Sequence, residues 1–414
     1  MLSPNSLLKE LDKEFGPKLL TKTEIIEAAS KAPYLVSPIL SKLGKKVIGV
    51  IRVESEDEIS VALNICDKYN FPVVARGAGT STIGQVLPIR ESIVIDTTGL
   101  KKMEYVDEKW IRIQPGVRVL DALNFLRKRG KELRVYPSSF YISTLGGYIA
   151  GGDVGIGSFQ YGYHFENNGI RYCRVIGPKG IFNLYGIDTL AVAQAAGTTG
   201  IISEAEVRVI EMKDWKDQII RVNSIEEVIK LLRWFNYHRE KIRRVTIQDG
   251  RTLRIVGKER VEKAGEWNII LASTLSLGEE VNLRFLDELA FAAIYVTMSK
   301  LTDFKNYFYE VRLLSLDEFN RVVSKVKKAL GDSVLIHGDV MTIRGEIIIY
   351  TVFMSEKENF EVIDTIMHKE GIPFEIHSIE VNDRVDEPFR LELMKKYKLI
   401  IDPHNILNPG KLRI

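Results

Sequence analysis

Eight of the 24 residues from 146 to 169 are glycine, in a chain where glycine accounts for only 31 of 414. Fixing glycine costs more conformational entropy than fixing any other residue, so such a cluster needs a local cause. A flexible linker is one, but linkers are Gly/Ser-rich and lack bulk, whereas Tyr148, Ile149, Phe159, Tyr161, Tyr163 and Phe165 interleave with these glycines. Backbone packed close against a large flat ligand, with aromatic side chains as its wall, accounts for both features.

A second glycine-rich segment, Arg76-Gly77-Ala78-Gly79-Thr80-Ser81-Thr82-Ile83-Gly84, follows an apolar strand. Its glycines let successive N–H groups converge on phosphate oxygens, and Arg76, Thr80 and Ser81 add a charge and hydroxyl donors, so it suits a diphosphate. It is not a Rossmann fingerprint, because the third glycine is misplaced and Pro88 leads into another strand, and it lacks the Lys-Ser/Thr ending of a P-loop. Alone, it also reads as a tight turn.

Around these segments the pattern is α+β. Residues 47–53 read as a strand, 55–69 as a helix with Ser55 and Glu58 in capping-box spacing, and 71–75 as a second strand. Apolar runs at 93–96, 103–106 and 110–114 and a helix at 119–129 complete a first lobe. Beyond 213 helices at 225–237, 316–330 and 360–369 alternate with strands at 267–272, 307–313 and 346–353, and a helix at 388–397 precedes the tail. The expected division is 1–212, 213–375 and 376–414.

Composition removes several classes. The net charge of +3, from 58 basic and 55 acidic residues, gives no field for nucleic acid. The basic-aromatic Arg233-Trp234-Phe235 lies beside Leu231 and Leu232 and reads as part of an amphipathic helix. Two cysteines, Cys66 and Cys173, exclude a disulfide scaffold and a cysteine-held cluster. The residues Met1-Leu2-Ser3-Pro4-Asn5 do not begin a secretory signal, and the apolar run at 289–298 is about half the ~20 residues of a membrane span, so the expectation is a cytoplasmic protein, with peripheral membrane contact compatible.

The glycine loop resembles the first pyrophosphate-binding segment of the vanillyl-alcohol oxidase and p-cresol methylhydroxylase superfamily, whose FAD-binding domain is two-lobed. Residues 93–100 resemble the strand and turn that follow it, and Ile113-Gln114-Pro115-Gly116-Val117 a further signature. Pro137, Ser138, Thr144, Gly146, Gly147 and Ala150, then Tyr161 and Gly162, resemble the second flavin-contacting stretch. The segment holding Gly197, Gly200, Ile201 and Ile202 resembles the one at the isoalloxazine edge, and residues 401–411, with Asn408, resemble the C-terminal signature that returns to the flavin domain. The resemblance is nearest to the branch of glycolate oxidase and D-lactate dehydrogenase. It implies FAD, and an oxidised small 2-hydroxy acid. Members that attach FAD covalently use a loop histidine; Thr80 and Ser81 stand there in this chain, which implies non-covalent FAD.

Oxidising a 2-hydroxy acid needs a base for the hydroxyl proton and a cation for the carboxylate. His337, in Ile336-His337-Gly338-Asp339, resembles the start of the branch's metal-binding His-x-Gly-Asp pattern, but its second histidine is missing; His377, in Glu375-Ile376-His377-Ser378, resembles the branch's Glu-His-Gly with the glutamate displaced. The expectation is no metal, with His377 or His337 as base. Arg312, Arg251 and Arg254 are candidates for the carboxylate, Arg312 foremost, because guanidinium binds it through two parallel bonds. His164 lies between Tyr163 and Phe165 and reads as structural; His238, His368 and His404 read as solvated. The resemblance leaves open the electron acceptor (quinone, carrier protein or oxygen) and a homo-oligomer or partner subunit. It also keeps three other readings in view: an alkylglycerone-phosphate synthase-like enzyme, a sugar-alcohol or lactone oxidase, and an idle flavin-binding subunit.

Overall fold

The computed structural model describes residues 3–31, 46–81, 84–152, 154–257, 263–281, 307–372, 379–385 and 387–414. Its strands form three sheets in chain order. The first holds β1 (Leu19–Leu20), β2 (Val47–Arg52), β3 (Val73–Arg76) and β4 (Ser92–Asp96) in the order β1-β2-β4-β3, with β2, β4 and β3 parallel. Parallel neighbours need a crossover. The helix Glu56–Lys68 provides it between β2 and β3, burying Ile59, Ala62, Leu63 and Cys66 at helical spacing. Ser55 caps it by accepting from Glu58 N at 3.2 Å, whereas the Glu58 carboxylate accepts from Glu54 N at 2.7 Å, one residue before the cap.

The second sheet contains β5 (Met103–Asp107), β6 (Trp110–Ile113), β7 (Lys131–Leu133), β8 (Ile170–Gly177), β9 (Gly180–Tyr185) and β10 (Ile201–Glu211). The eleven-residue β10 is its spine, pairing antiparallel with β6 and β7 on one side and β8 on the other. Both cysteines are buried in these two units, and burial pushes their thiols up.

The third sheet has β11 (Lys216–Val222), β12 (Ile242–Asp249), β13 (Trp267–Ser273), β14 (Glu279–Glu280), β15 (Tyr307–Ser315), β16 (Val334–Ile343) and β17 (Glu346–Glu356), in the order β14-β11-β13-β12-β16-β17-β15. The helices Ile225–Tyr237, Leu316–Leu330 and Phe360–Lys369 cover one face, where Leu232, Phe235, Phe319, Val323 and Ile363 pack on Ile247, Ile336 and Phe353. Ser224 and Ser315 cap the first two helices, and Ser315 with Glu318 forms a full capping box. Arg233 and Trp234 lie on the solvent side of the first, as an amphipathic helix requires. The run at 289–298 is outside the described residues.

Two segments tie the sheets together. The tail bridges β3: Val73 N donates to Ile406 O and Asn408 N to Val73 O, each at 2.8 Å. The other tie corrects the aromatic-wall expectation. Within the glycine-rich stretch, the short helix Ser158–Tyr161 turns away from the first lobe and inserts Phe159, fully buried, into the apolar core of the third sheet. Arg243 on β12 answers by donating to Leu133 O and Arg134 O, both at 2.6 Å. Phe165 goes instead to the core of the second sheet. Phe159→Ala should therefore destabilise the protein by about 3–5 kcal/mol, seen as a lower denaturant midpoint.

Candidate functional site

Where the three sheets meet lies a trough of about 240 Å³. Its first wall is the loop after β3. Arg76 ends that strand opposite Asp96, its guanidinium donating to Ala29 O at 3.3 Å, and Gly77, Ala78, Gly79, Thr80 and Ser81 line the trough beyond it. Thr80 shares a 2.8 Å hydrogen bond with Ser143, and the Ser81 hydroxyl donates to Gln85 Oε1. Gln85 in turn donates to Gly151 O at 2.8 Å, which ties the loop to the helix Leu145–Gly151.

Pro137, Ser138, Thr144, Gly146, Gly147 and Ala150 form the second wall, and Gly197, Gly200, Ile201 and Ile202 the third. Close backbone approach joins the two walls: an added Cβ on Gly146 of the second would come within 2.3 Å of Pro115 Cβ, and one on Gly77 of the first within 2.2 Å of Thr144 Oγ1. Gly197 serves differently. Its φ of +70° suits glycine, and an added Cβ would meet only Ala75, at 3.6 Å, so it would project into the trough.

The third sheet closes the trough with His337 and Asp339 of β16 and Tyr350 and Val352 of β17. Strand alternation puts His337 and Asp339 on one face, and register sets their neighbours: His337 lies opposite Val352 and Gln248, and Asp339 opposite Tyr350 and Thr246. Gln248 Nε2 meets His337 Nδ1 at 3.1 Å, His337 Nε2 meets Asp339 Oδ2 at 3.1 Å, and the Thr246 hydroxyl donates to Asp339 Oδ1 at 2.6 Å. His337 is 1% exposed; the Asp339 side chain is 28% exposed and is the open member of the pair. Burial pushes the Asp339 carboxyl up, but His337, Thr246 and Arg244 outweigh it and hold the group below the usual carboxylate range. Between the pair, Gly338 lets Ile349 approach from the other face, where a Cβ would come within 2.8 Å.

Several expected site residues lie elsewhere. Arg312 is on β15 but on the helix-covered face, 2.6 Å from Glu310 and 3.1 Å from Asp364, so it does not reach the trough. Burial pushes the Glu310 carboxyl up to about 7 in spite of that guanidinium. Tyr161 lies under the Arg134 guanidinium, and Gly162 faces Glu166 and Thr342, where an added Cβ would lie 2.5 Å from Glu166 Oε2. Both belong to the joint with the third sheet, not to the lining. Gly84 and Asn408 stand one layer behind it: Asn408 donates to Ala196 O at 2.7 Å, and Gly84 O accepts from Lys411. Arg251 donates to Asp332 O.

Of the histidines, His377 is outside the described residues. His164 meets Ile149 O at 3.2 Å, and burial pushes its imidazole down to about 3. His238, His368 and His404 bond Trp234 O, Asp364 O and Asp67. Asp339, Thr246 and Gln248 were missed as site residues. Their signal was polar residues spaced by two, Thr246 and Gln248 around Ile247 on β12 and His337 and Asp339 between Ile336 and Val340 on β16.

The residues present fit FAD. A loop with Arg76 and two hydroxyls suits a diphosphate, and the glycine at 197 leaves room along the trough for a flat ring. Among the described residues lining it, the one histidine is His337, on the third sheet and not in the loop. Gly146→Ala would force Pro115 away, and overpacking of this kind costs about 1–3 kcal/mol; the purified variant should carry less FAD per chain than the wild type by absorbance.

Comparison with known proteins agrees with this geometry. A family model described as an FAD binding domain matches residues 47–183, and one for the C-terminal domain of FAD linked oxidases matches 378–412. The chain is 29% identical over 183 residues to glycolate oxidase subunit GlcD of Bacillus subtilis, a match that spans 41% of this chain and 38% of that protein. It is 22% identical to a D-lactate dehydrogenase of Archaeoglobus fulgidus over 91% of this chain and 93% of the relative. In fold it is similar to alkyldihydroxyacetonephosphate synthase (TM-score 0.72, 18% identity, 99% of this chain and 86% of that one) and to p-cresol methylhydroxylase (TM-score 0.70, 13% identity, 98% and 96%). FAD is the cofactor, held non-covalently. The matched segments and the trough they enclose lead to one assignment: residues 47–183 form an FAD binding domain, residues 378–412 match the C-terminal domain of FAD linked oxidases, and the chain is similar in sequence to glycolate oxidase and D-lactate dehydrogenase proteins.

Proposed function

We propose that the chain is an FAD-dependent dehydrogenase of a small 2-hydroxy acid, of the glycolate or D-lactate type. The observation that carries this reading is the His337–Asp339 pair, which faces the same trough as the FAD-binding loops. When bound, FAD supplies the acceptor for a hydride from the substrate carbon. The protein's own part is the proton and the position of the substrate.

An ionised carboxylate offers about four lone-pair positions. Asp339 uses one oxygen for Thr246 and the other for His337, which leaves capacity for a substrate hydroxyl on its exposed side. Asp339 therefore takes the hydroxyl proton, and His337, held from behind by Gln248, fixes the carboxylate and stabilises it. For the substrate carboxylate, Arg244 replaces Arg312: paired with buried Asp217 at 3.3 Å and itself behind the trough lining, it lines a small cavity with Ser138, Val154 and Asp339, all three of which also line the trough. Val154 and Val352 supply apolar wall that excludes water from the reacting carbon. The segment 213–375 acts as a cap over the cofactor. The relatives named glycolate oxidase and D-lactate dehydrogenase support this substrate class.

Anaerobic mixing with a panel of 2-hydroxy acids should bleach the oxidised flavin with glycolate or D-lactate; bleaching by none of them overturns the substrate class. Asp339→Asn should slow flavin reduction by about 10²–10⁴-fold at unchanged FAD content. The pH profile separates the two members of the pair. A base held below the usual carboxylate range is ionised throughout neutral pH, so the reduction rate should stay level from pH 8 to 5, whereas an unassisted imidazole would lose it below about 6.5.

A further inference from the structure

Lys411, in the C-terminal tail, is fully buried and takes no part in the trough lining. Its ammonium donates to two backbone carbonyls, those of Gly84, at 3.1 Å, and Gln85. These residues end the phosphate loop, and Gln85 itself lines the trough while holding Ser81 on one side and Gly151 on the other. Asn408 of the same tail donates to Gln85 O as well, at 3.4 Å. The tail thus places a buried cation directly behind the loop.

A buried charge is normally paired with an opposite one. Among the described residues no carboxylate does this for Lys411. The charged group acting on it is Arg384, of the neighbouring helix Val381–Arg384, which is repulsive. The carboxylates at that helix, Glu380 and Asp383, are taken by Arg413 at 2.8 and 2.6 Å. The next cation along the tail, Lys398, is satisfied by Asp402 at 2.6 Å and adds no net charge. Burial, with Arg384, pushes the Lys411 amine down to about 7. On the trough side, Arg76 is the one full cation among the described lining residues, fewer charges than a diphosphate carries.

We propose that Lys411 is the missing counter-charge for the FAD diphosphate, acting through the 84–85 turn as a positioning residue, so that FAD binding and protonation of this amine are coupled. The inference rests on the FAD assignment and not on the substrate proposed above. With no FAD the amine loses its proton as pH rises past neutrality; the bound diphosphate favours the charged form, so binding above pH 7 takes up a proton. Linkage then requires FAD affinity to fall with rising pH, by about 50-fold between pH 7 and 9 where the bound-state amine stays protonated throughout.

The test is FAD binding to the full-length chain, read by quenching of flavin fluorescence from pH 6 to 9, for the wild type and Lys411→Met. The wild type should weaken steadily above pH 7, and Lys411→Met should bind more weakly at pH 7 with that dependence gone. Calorimetry of the wild type at pH 8, in two buffers of different ionisation enthalpy, should show uptake approaching one proton per FAD; it decides the matter where the variant does not fold. A pH-independent wild-type affinity, the absence of proton uptake, or a variant with the wild-type slope overturns the proposal. A chain that binds no FAD at any pH would instead overturn the cofactor assignment beneath it.

Discussion

Three backbone approaches hold the trough in shape, and each is closer than a side chain would allow. Gly77 lies against Thr144, Gly146 against Pro115, and Gly116 against the carbonyls of Thr97 and Leu100, where an added Cβ would come within 2.5 Å of Thr97 O. These contacts join the ends of β3 and β4 to the end of β6 and to the helix Leu145–Gly151, so the loop after β3 is set by packing from outside it. Because protein interiors are close-packed, a methyl group at any of these points moves the loop and not merely itself. The phosphate end of the site depends on that geometry.

The irregular backbone around the site is held by buried cations that bond carbonyls. Arg243 takes Leu133 O and Arg134 O, Arg390 takes Ala193 O at 3.0 Å, Lys398 takes Thr198 O and Leu407 O at 2.9 and 2.8 Å, and Lys411 takes Gly84 O and Gln85 O. Loops leave carbonyls without a ladder partner, and an unpaired buried carbonyl is costly. A long cationic side chain from a distant segment satisfies several at once. In this way the last helix and the tail serve as the lock on loops formed some 200 residues earlier.

The third sheet shows what one residue of parity decides. Glu310 and Arg312 share a face with the helices, while Tyr309 and Val311 share the other with Leu335, Tyr350 and Val352. An arginine at either neighbouring position would have faced the trough side; at 312 it closes a buried ion pair with Glu310 and Asp364. On β16 the same alternation works the other way, so that His337 and Asp339 look into the site while Ile336 and Val340 join the apolar core. Period-two patterning is visible in a strand, but which of its two faces meets the ligand depends on pairing and on which side the helices pack.

From the sequence alone, the α+β order, the helices Ile225–Tyr237, Leu316–Leu330 and Phe360–Lys369, and the glycine loops were legible, because apolar periodicity, serine caps and close backbone approach are local signals. Most residues assigned to the cofactor from those motifs do line one trough. Tertiary structure alone decided the remainder. It sent the helix Ser158–Tyr161 of the aromatic glycine stretch into the third sheet through Phe159, set Gly84 and Asn408 one layer behind the lining, removed Arg312 from the site, and brought Thr246, Gln248, His337 and Asp339 together across two strands. The physical reason is common to all four: a motif specifies backbone conformation within a few residues, whereas the direction of a side chain's contacts is set by register and packing between segments far apart in the chain.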